Sequence, residues 1–270
     1  MSQKFPEYLY HYTSFEALAC ILEYKTFRFT KLNNLNDPLE GKTADLNASE
    51  NLAYCSSWTA HERDTIPLWK MYSGLNGVRL KLPSDLFTNS QIESVSYSNL
   101  PRDYNKAVNS AKLIKPIKTY STARKIIDID SVFGPDEVEY LDSERPVNIE
   151  VVTKTARVEP QGAVEGCMIN LTNVGLYKND DWAYEKEWRY RLLLNPLFGP
   201  AYPIMGANEF CEYFKFAEDY IDVPVKQSAI DRIEVMLGPM HSAPQRILLT
   251  ALLEKYSKNF KITESNIQIK

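Results

Sequence analysis

The chain has 270 residues, of which 44% are hydrophobic, 24% charged and 12% aromatic, enough apolar material for a core that needs neither disulfide nor metal to hold it. A net charge of −4 excludes a bulk basic field for DNA. The longest apolar run, near Ile247–Leu253, is far too short to cross a bilayer.

Tyr8–Tyr12 reads as a short aromatic strand. Thr13-Ser14-Phe15-Glu16 reads as a capping box, with Thr13 as N-cap, and Leu18, Ile21 and Leu22 at helical spacing carry a helix to about Lys25. Phe27–Thr30 alternates as a second strand. Residues 31–42, with Asn33, Asn34, Asn36-Asp37-Pro38 and Gly41, carry the chemistry of a polar loop. Ala53–Trp58 reads as a buried strand, Pro67–Tyr72 as a short helix opened by its proline, and Gly77–Leu82 as an alternating strand.

Residues 101–145 differ. They are rich in Lys, Asp and Ser, and their pattern is helical over Tyr104–Leu113 and Ser121–Ile127, which predicts an inserted helical subdomain. Further strands are expected at Val147–Val158, Trp188–Leu194, Ile221–Val225 and Ile233–Leu237. A helix follows at Pro244–Tyr256, and an edge strand near Ile262–Ile269. Strands and helices do not alternate regularly, so an α+β fold is expected rather than a doubly wound parallel sheet. One domain spanning 1–270 accommodates these elements.

Four cysteines (Cys20, Cys55, Cys167, Cys211) form no CxxC pair, and Met1–Lys4 carries no secretory signal. Reduced, mostly buried thiols in a cytoplasmic chain are expected. GxGxxG, Walker A, HExxH and GxSxG sequences are absent. Three histidines in separate segments (His11, His61, His241) offer no metal-ligand spacing, so no metal site is expected.

Four clusters carry candidate chemistry. His11-Tyr12-Thr13 ends the opening strand, where a neutral imidazole could serve a ribose hydroxyl or be satisfied within the fold. Asn36-Asp37-Pro38-Leu39-Glu40-Gly41 could bind a sugar or a metal, or close on its own backbone as an Asx-turn. Trp69 and Tyr72, three apart on a helix, could form a platform for a flat ring or pack in the core. In Glu185-Lys186-Glu187-Trp188-Arg189-Tyr190-Arg191, strand alternation sets Glu185, Glu187, Arg189 and Arg191 on one face. That face is either functional or an ion-paired, solvated surface.

The segment Leu9-Tyr10-His11-Tyr12-Thr13-Ser14, the helix ending near Ile21-Leu22-Glu23, and Phe27-Arg28-Phe29 resemble the opening of the His-Tyr-Glu class of ADP-ribosyltransferases. A longer ordered set is similar to a bacterial family of unknown function, domain 2971. It runs through Leu35-Asn36-Asp37-Pro38-Leu39-Glu40, Cys55-Ser56-Ser57, Trp69-Lys70-Met71-Tyr72, Trp182-Ala183-Tyr184-Glu185-Lys186-Glu187-Trp188-Arg189 and Ile233-Glu234-Val235-Met236-Leu237-Gly238. The likeness covers residues 8–82 and 175–238.

The resemblance implies a split, mostly antiparallel ADP-ribosyltransferase-like β-fold with flanking helices, and NAD as substrate. It implies His11 at an NAD ribose, with Tyr12, Thr13, Asn36 and Asp37 nearby. Tyr72 would stack on nicotinamide, with Tyr12 or Trp69 as alternates. Glu187 would stabilise the oxocarbenium-like ribose and Glu185 would act as base toward the acceptor. Arg189 would hold the pyrophosphate or a glutamate. The expected acceptor is a macromolecule, RNA before DNA or protein, because Lys106, Lys112, Lys115 and Lys118 interleave with Tyr104 and Tyr120. Size and layout are similar to toxins of bacterial toxin–antitoxin and phage-defence systems, which implies an antitoxin partner and no membrane association. Two other classes compete: a metal-dependent nuclease built on Asp37, Glu40 and Lys42, and a non-catalytic binding domain of the same fold.

Overall fold

The computed structural model describes residues 5–87, 118–121, 126–129, 132–142, 149–159, 162–197 and 218–269. It opens with β1 (Tyr8–Thr13) and α1 (Phe15–Tyr24), followed by β2 (Thr26–Lys31). Thr13 pairs with Val78 as the last residue of β1, so it is not the N-cap expected of it. The cap is Ser14, whose side chain accepts from the Ala17 amide at 3.2 Å. Leu18, Ile21 and Leu22 form the buried stripe of α1, and Lys25 ends the helix in the left-handed conformation, φ 53°.

The chain continues through β3 (Ala53–Thr59), α2 (Ile66–Tyr72) and β4 (Val78–Pro83). Next come β5 (Lys118–Ser121), β6 (Ile126–Ile129), β7 (Phe133–Glu137) and β8 (Glu139–Leu141). The described residues of the expected helix Ser121–Ile127, namely Ser121, Ile126 and Ile127, are in strands instead, and residues 122–125 lie outside the described residues. The β-branched residues Ile126, Ile127 and Ile129 favour a pleated backbone over a helix, and β5 and β6 pair antiparallel. The expected helix at Tyr104–Leu113 lies outside the described residues.

After β9 (Val152–Glu159), β10 (Gly162–Ile169) and β11 (Tyr177–Asn179), a 3₁₀ turn at Asp180–Glu185 leads into β12 (Glu187–Leu193) and β13 (Asn195–Leu197). The last elements are β14 (Tyr220–Pro224), α3 (Gln227–Ile230), β15 (Glu234–Leu237), α4 (Ala243–Tyr256) and β16 (Lys261–Glu264). The result is a mixed fold, mostly strands with a few helices. Only β8–β11 and β15–β16 pair in parallel among the described strands. Among the described residues no helix is long and apolar enough to cross a membrane. Cys20 is exposed and Cys55 buried, so the expectation of buried thiols holds for the second and not the first.

The main sheet runs β14-β2-β3-β1-β4-β15-β16, with β12 and β7 attached through β3. Along one edge of β3, β12 pairs at every position from Ala53 to Thr59. The other edge is shared: β2 pairs at Tyr54 and Cys55, and β1 pairs at Thr59. On that edge, between those two partners, Ser56, Ser57 and Trp58 pair with no described strand, and the sheet splits there.

One face of the sheet and helices α1 and α4 enclose the core, where Leu9, Leu18, Leu22, Phe27, Phe29, Leu80, Leu82, Leu237, Leu249 and Leu253 are buried. Each such side chain contributes roughly 1.5–3 kcal/mol relative to exposure. A smaller cluster of Tyr12, Leu68 and Trp69 fixes α2 on the neighbouring side.

Candidate active site

A pocket of about 600 Å³, its open mouth included, lies at the split. Its walls come from β1, β3, α2, the loop after β2, and the chain from β11 into β12.

His11 stands at the split itself. Its Nδ1 lies 2.9 Å from the Ser57 carbonyl oxygen. A carbonyl only accepts, so Nδ1 carries the proton and Nε2 of the neutral ring is an acceptor. The ring packs edge-on to Phe27 and against Trp58, with centroids 5.4 and 4.9 Å away. Burial lowers its pKa, only partly opposed by the Ser57 contact, which keeps the ring neutral.

The floor is a buried cluster of charges. On β12, Glu187, Arg189 and Arg191 share one face, as the alternation predicts, but that face is buried rather than solvated. Arg189 donates from Nε to Glu187 Oε1 at 2.7 Å and from Nη2 to Glu187 Oε2 at 2.9 Å. It also donates from Nη1 and Nη2 to the two oxygens of Glu40, at 2.5 and 2.6 Å, and from Nη1 to the Gly175 carbonyl at 2.9 Å. Lys178, from β11, lies 2.6 Å from Glu185, 3.2 Å from Glu187 and 3.4 Å from Glu40. Its ammonium also sits 4.5 Å above the Trp182 ring. Unpaired, such charges would cost several kcal/mol each to bury. Three carboxylates against two cations leave the cluster one negative charge in excess when all are ionised.

Glu185 arrives by a different route from the one its spacing suggests. It closes the 3₁₀ turn, and Lys186, at φ 45° and ψ 55°, reverses the chain into β12. Its carboxylate nonetheless meets the cluster, taking Lys178 on Oε2 and the Tyr72 hydroxyl on Oε1.

The two glutamates are driven apart. Burial would raise the Glu187 pKa, but Arg189 and Lys178 more than offset it and bring it down to about 2. Burial also raises the Glu185 pKa, the charge of Glu187 raises it further, and Lys178 with Tyr72 compensates only in part. One carboxylate is thus held as an anion, while the other binds its proton more tightly than a free glutamate does. Burial, reinforced by Glu185, raises the Tyr72 hydroxyl pKa far above its usual value, so it stays protonated as a donor.

Of the residues marked from sequence, His11, Tyr12, Asn36, Tyr72, Glu185, Glu187 and Arg189 border the pocket. Three others do not. Thr13 is buried as a β1 strand residue. Trp69 has no exposed surface, and its indole donates to Asp64 at 2.8 Å, so only Tyr72 of the expected aromatic platform faces the cavity. Asp37 Oδ1 accepts from the Leu39 amide at 2.9 Å, the Asx-turn alternative. Arg189 is wholly engaged by Glu187, Glu40 and Gly175, so it holds glutamates in place and offers nothing to a pyrophosphate.

Sequence reasoning did not select Lys178, Ser57 or Tyr140, whose hydroxyl accepts from the Glu187 amide at 2.8 Å. It weighed Glu40 as a sugar or metal ligand of its loop and as an acid of the nuclease alternative, not as a partner of Arg189. No local pattern marks them: Ser57, Tyr140 and Glu40 meet partners distant in sequence, and Lys178 meets Glu185 and Glu187 across a turn that strand or helix spacing does not show. Among the described residues there is no group of three or more His, Cys, Asp or Glu able to hold a metal.

A family model described as "Protein of unknown function (DUF2971)" matches residues 68–190. That span includes Tyr72, Lys178, Glu185, Glu187 and Arg189, and leaves out His11 and Glu40. It also runs across the 101–145 region that the resemblance noted above does not cover. No curated protein and no solved structure matches the chain.

Proposed function

We propose that this protein is an NAD-dependent ADP-ribosyltransferase acting on a macromolecular acceptor, with RNA favoured. The observation that carries the reading is the pair Glu185 and Glu187: two carboxylates in one pocket, bridged by Lys178 and shifted in opposite directions. The split beside β3 and the histidine placed on it fit the ADP-ribosyltransferase-like fold and the ribose-binding role that the resemblance implies for His11.

The chemistry follows from charge. The bond between the ribose anomeric carbon and the pyridinium nitrogen breaks, its electron pair goes to nitrogen, and neutral nicotinamide leaves. Positive charge then builds on the ribose carbon. Glu187, already ionised and held rigidly by Arg189, lowers that barrier electrostatically without having to reorganise. An acceptor hydroxyl or amine attacks the carbon and gives its proton to Glu185. Tyr72 presents its ring to the pocket while its hydroxyl orients Glu185.

The nuclease alternative loses its key ligand. Both Glu40 oxygens accept from Arg189, and Asp37 is turned into its own loop. If the protein is the toxin of a toxin–antitoxin or phage-defence pair, its antitoxin should cover the cleft between His11 and Glu187.

The test is incubation of purified protein with labelled NAD and cell extract, beside Glu187→Gln, followed by digestion with RNase, DNase or protease. Label transferred by the wild type alone supports the transferase, and the digest that removes it identifies the acceptor class. A folded protein that neither transfers label nor releases nicotinamide is a binding domain of this fold, and the enzyme reading fails.

A further inference from the structure

The pocket offers acceptors and withholds cations. Its two lining cations, Lys178 and Arg189, are bound to glutamates at 2.5 to 3.4 Å. The Tyr72 hydroxyl already donates to Glu185. The Ser57 hydroxyl lies beside Glu187 and helps hold its charge. What remains toward a ligand is the His11 Nε2 lone pair and, with Glu185 ionised, the excess negative charge of the floor; the further polar lining side chains Asn36 and Tyr12, whose hydroxyl has no partner among the described residues, are uncharged. The aromatic rings of Tyr72, Trp58 and His11 also line the cavity.

We infer that this pocket selects a positively charged or hydrogen-bond-donating flat ring and rejects anions, so that any phosphate of its substrate lies outside it. Aromatic faces and an anionic floor both attract a cationic ring. A phosphate here would find both lining cations already held by carboxylates, and with Glu185 ionised it would meet net negative charge across a low-dielectric gap. Asn36, exposed at the rim, is placed to meet polar groups that leave the cavity. This rests on the transferase reading only in taking the pocket as the substrate site. It departs from the expectation that Arg189 reads a pyrophosphate.

Three ligands of nearly the same shape separate the charge states: 1-methylnicotinamide (cation), nicotinamide (neutral) and nicotinate (anion). Binding to the wild-type protein is measured by calorimetry or ligand-observed NMR, with inorganic phosphate as competitor. The expected order is cation, then neutral, then anion, with about tenfold or more between the ends and no competition by phosphate. Glu185→Gln, checked for folding by circular dichroism, should narrow the gap between cation and anion. Nicotinate binding as tightly as the cation, displacement by phosphate, or no binding of any of the three overturns the inference. The order can hold while NAD is never cleaved, in which case the transferase reading fails alone. NAD can also be cleaved while nicotinate binds equally well, in which case the charge selectivity fails alone.

Discussion

Arg189 grips both carboxylate oxygens of Glu187, its neighbour two residues back on the same strand face, through Nε at 2.7 Å and Nη2 at 2.9 Å. The same guanidinium holds both oxygens of Glu40 from the loop after β2. One side chain therefore ties a strand, a loop and the pocket floor together. A planar fork is required for this, and lysine cannot supply it.

Removing that fork leaves two buried carboxylates with only Lys178 between them. Arg189→Met should destabilise the protein by about 3–5 kcal/mol, read as a lower urea midpoint. Arg189→Lys should recover only part of the loss. An unchanged midpoint for Arg189→Met would show that the cluster relaxes into water.

The two glutamates should separate kinetically. Glu185→Gln should lower the rate of transfer by roughly 10²–10⁴-fold, the range of a lost general base, and should flatten the acidic limb of the pH–rate profile. Glu187→Gln should slow nicotinamide release itself, whatever the acceptor. Nicotinamide release in the absence of acceptor, compared across the two variants, separates the roles, and equal slowing in both would sink the assignment.

Stability should fall in acid for a definable reason. The folded-state pKa of Glu187 lies below its ordinary value of 4.5, at about 2. Its contribution is therefore present above about pH 4.5 and is lost as pH falls from there toward 2, on the order of 3 kcal/mol in all. Glu185 is shifted up, so it acts in the opposite sense: its protonation favours the folded state at low pH, and that benefit declines as pH rises through its folded-state pKa. Urea unfolding at pH 3 and pH 7 should show the net acid loss, and Glu187→Gln should shrink it.

His11 has two nitrogens with separate duties, and substitution can part them. Asparagine places an amide N–H near where Nδ1 donates to Ser57 and removes Nε2. His11→Asn should keep stability within about 1 kcal/mol, the net worth of one such hydrogen bond, while weakening NAD binding. His11→Ala should lose both, along with the packing against Phe27 and Trp58. If His11→Asn binds NAD as tightly as wild type, Nε2 does not meet the substrate.

Much of the scaffold was legible because short-range rules set it. The stripe Leu18, Ile21, Leu22 and the alternation through Val78–Leu82 gave α1 and β4 directly. The alternation of Glu187, Arg189 and Arg191 was also right, but it could not tell a solvated ion-pair ladder from a buried one. That depends on Glu40 and Lys178, which the fold brings in from 147 and 9 positions away from Glu187. The reading of Ser121–Ile127 weighed helical spacing above the β-branched run at Ile126, Ile127 and Ile129, and at the described ends of that span strands formed, where β5, β6 and β13 could pair. Glu185 reached the pocket by a left-handed residue at Lys186, a backbone reversal that no non-glycine sequence advertises.

The split beside β3 has one more consequence. A gap in a sheet ordinarily invites another strand, because unpaired carbonyls and amides template one. Here the imidazole of His11 occupies the Ser57 carbonyl and works as a wedge, so the seam cannot zip shut without expelling a packed aromatic ring. The cavity is then a standing property of the fold and does not wait for a ligand to pry it open. Association should proceed with little rearrangement of the backbone, and affinity should be governed by contacts inside the cavity rather than by an opening equilibrium.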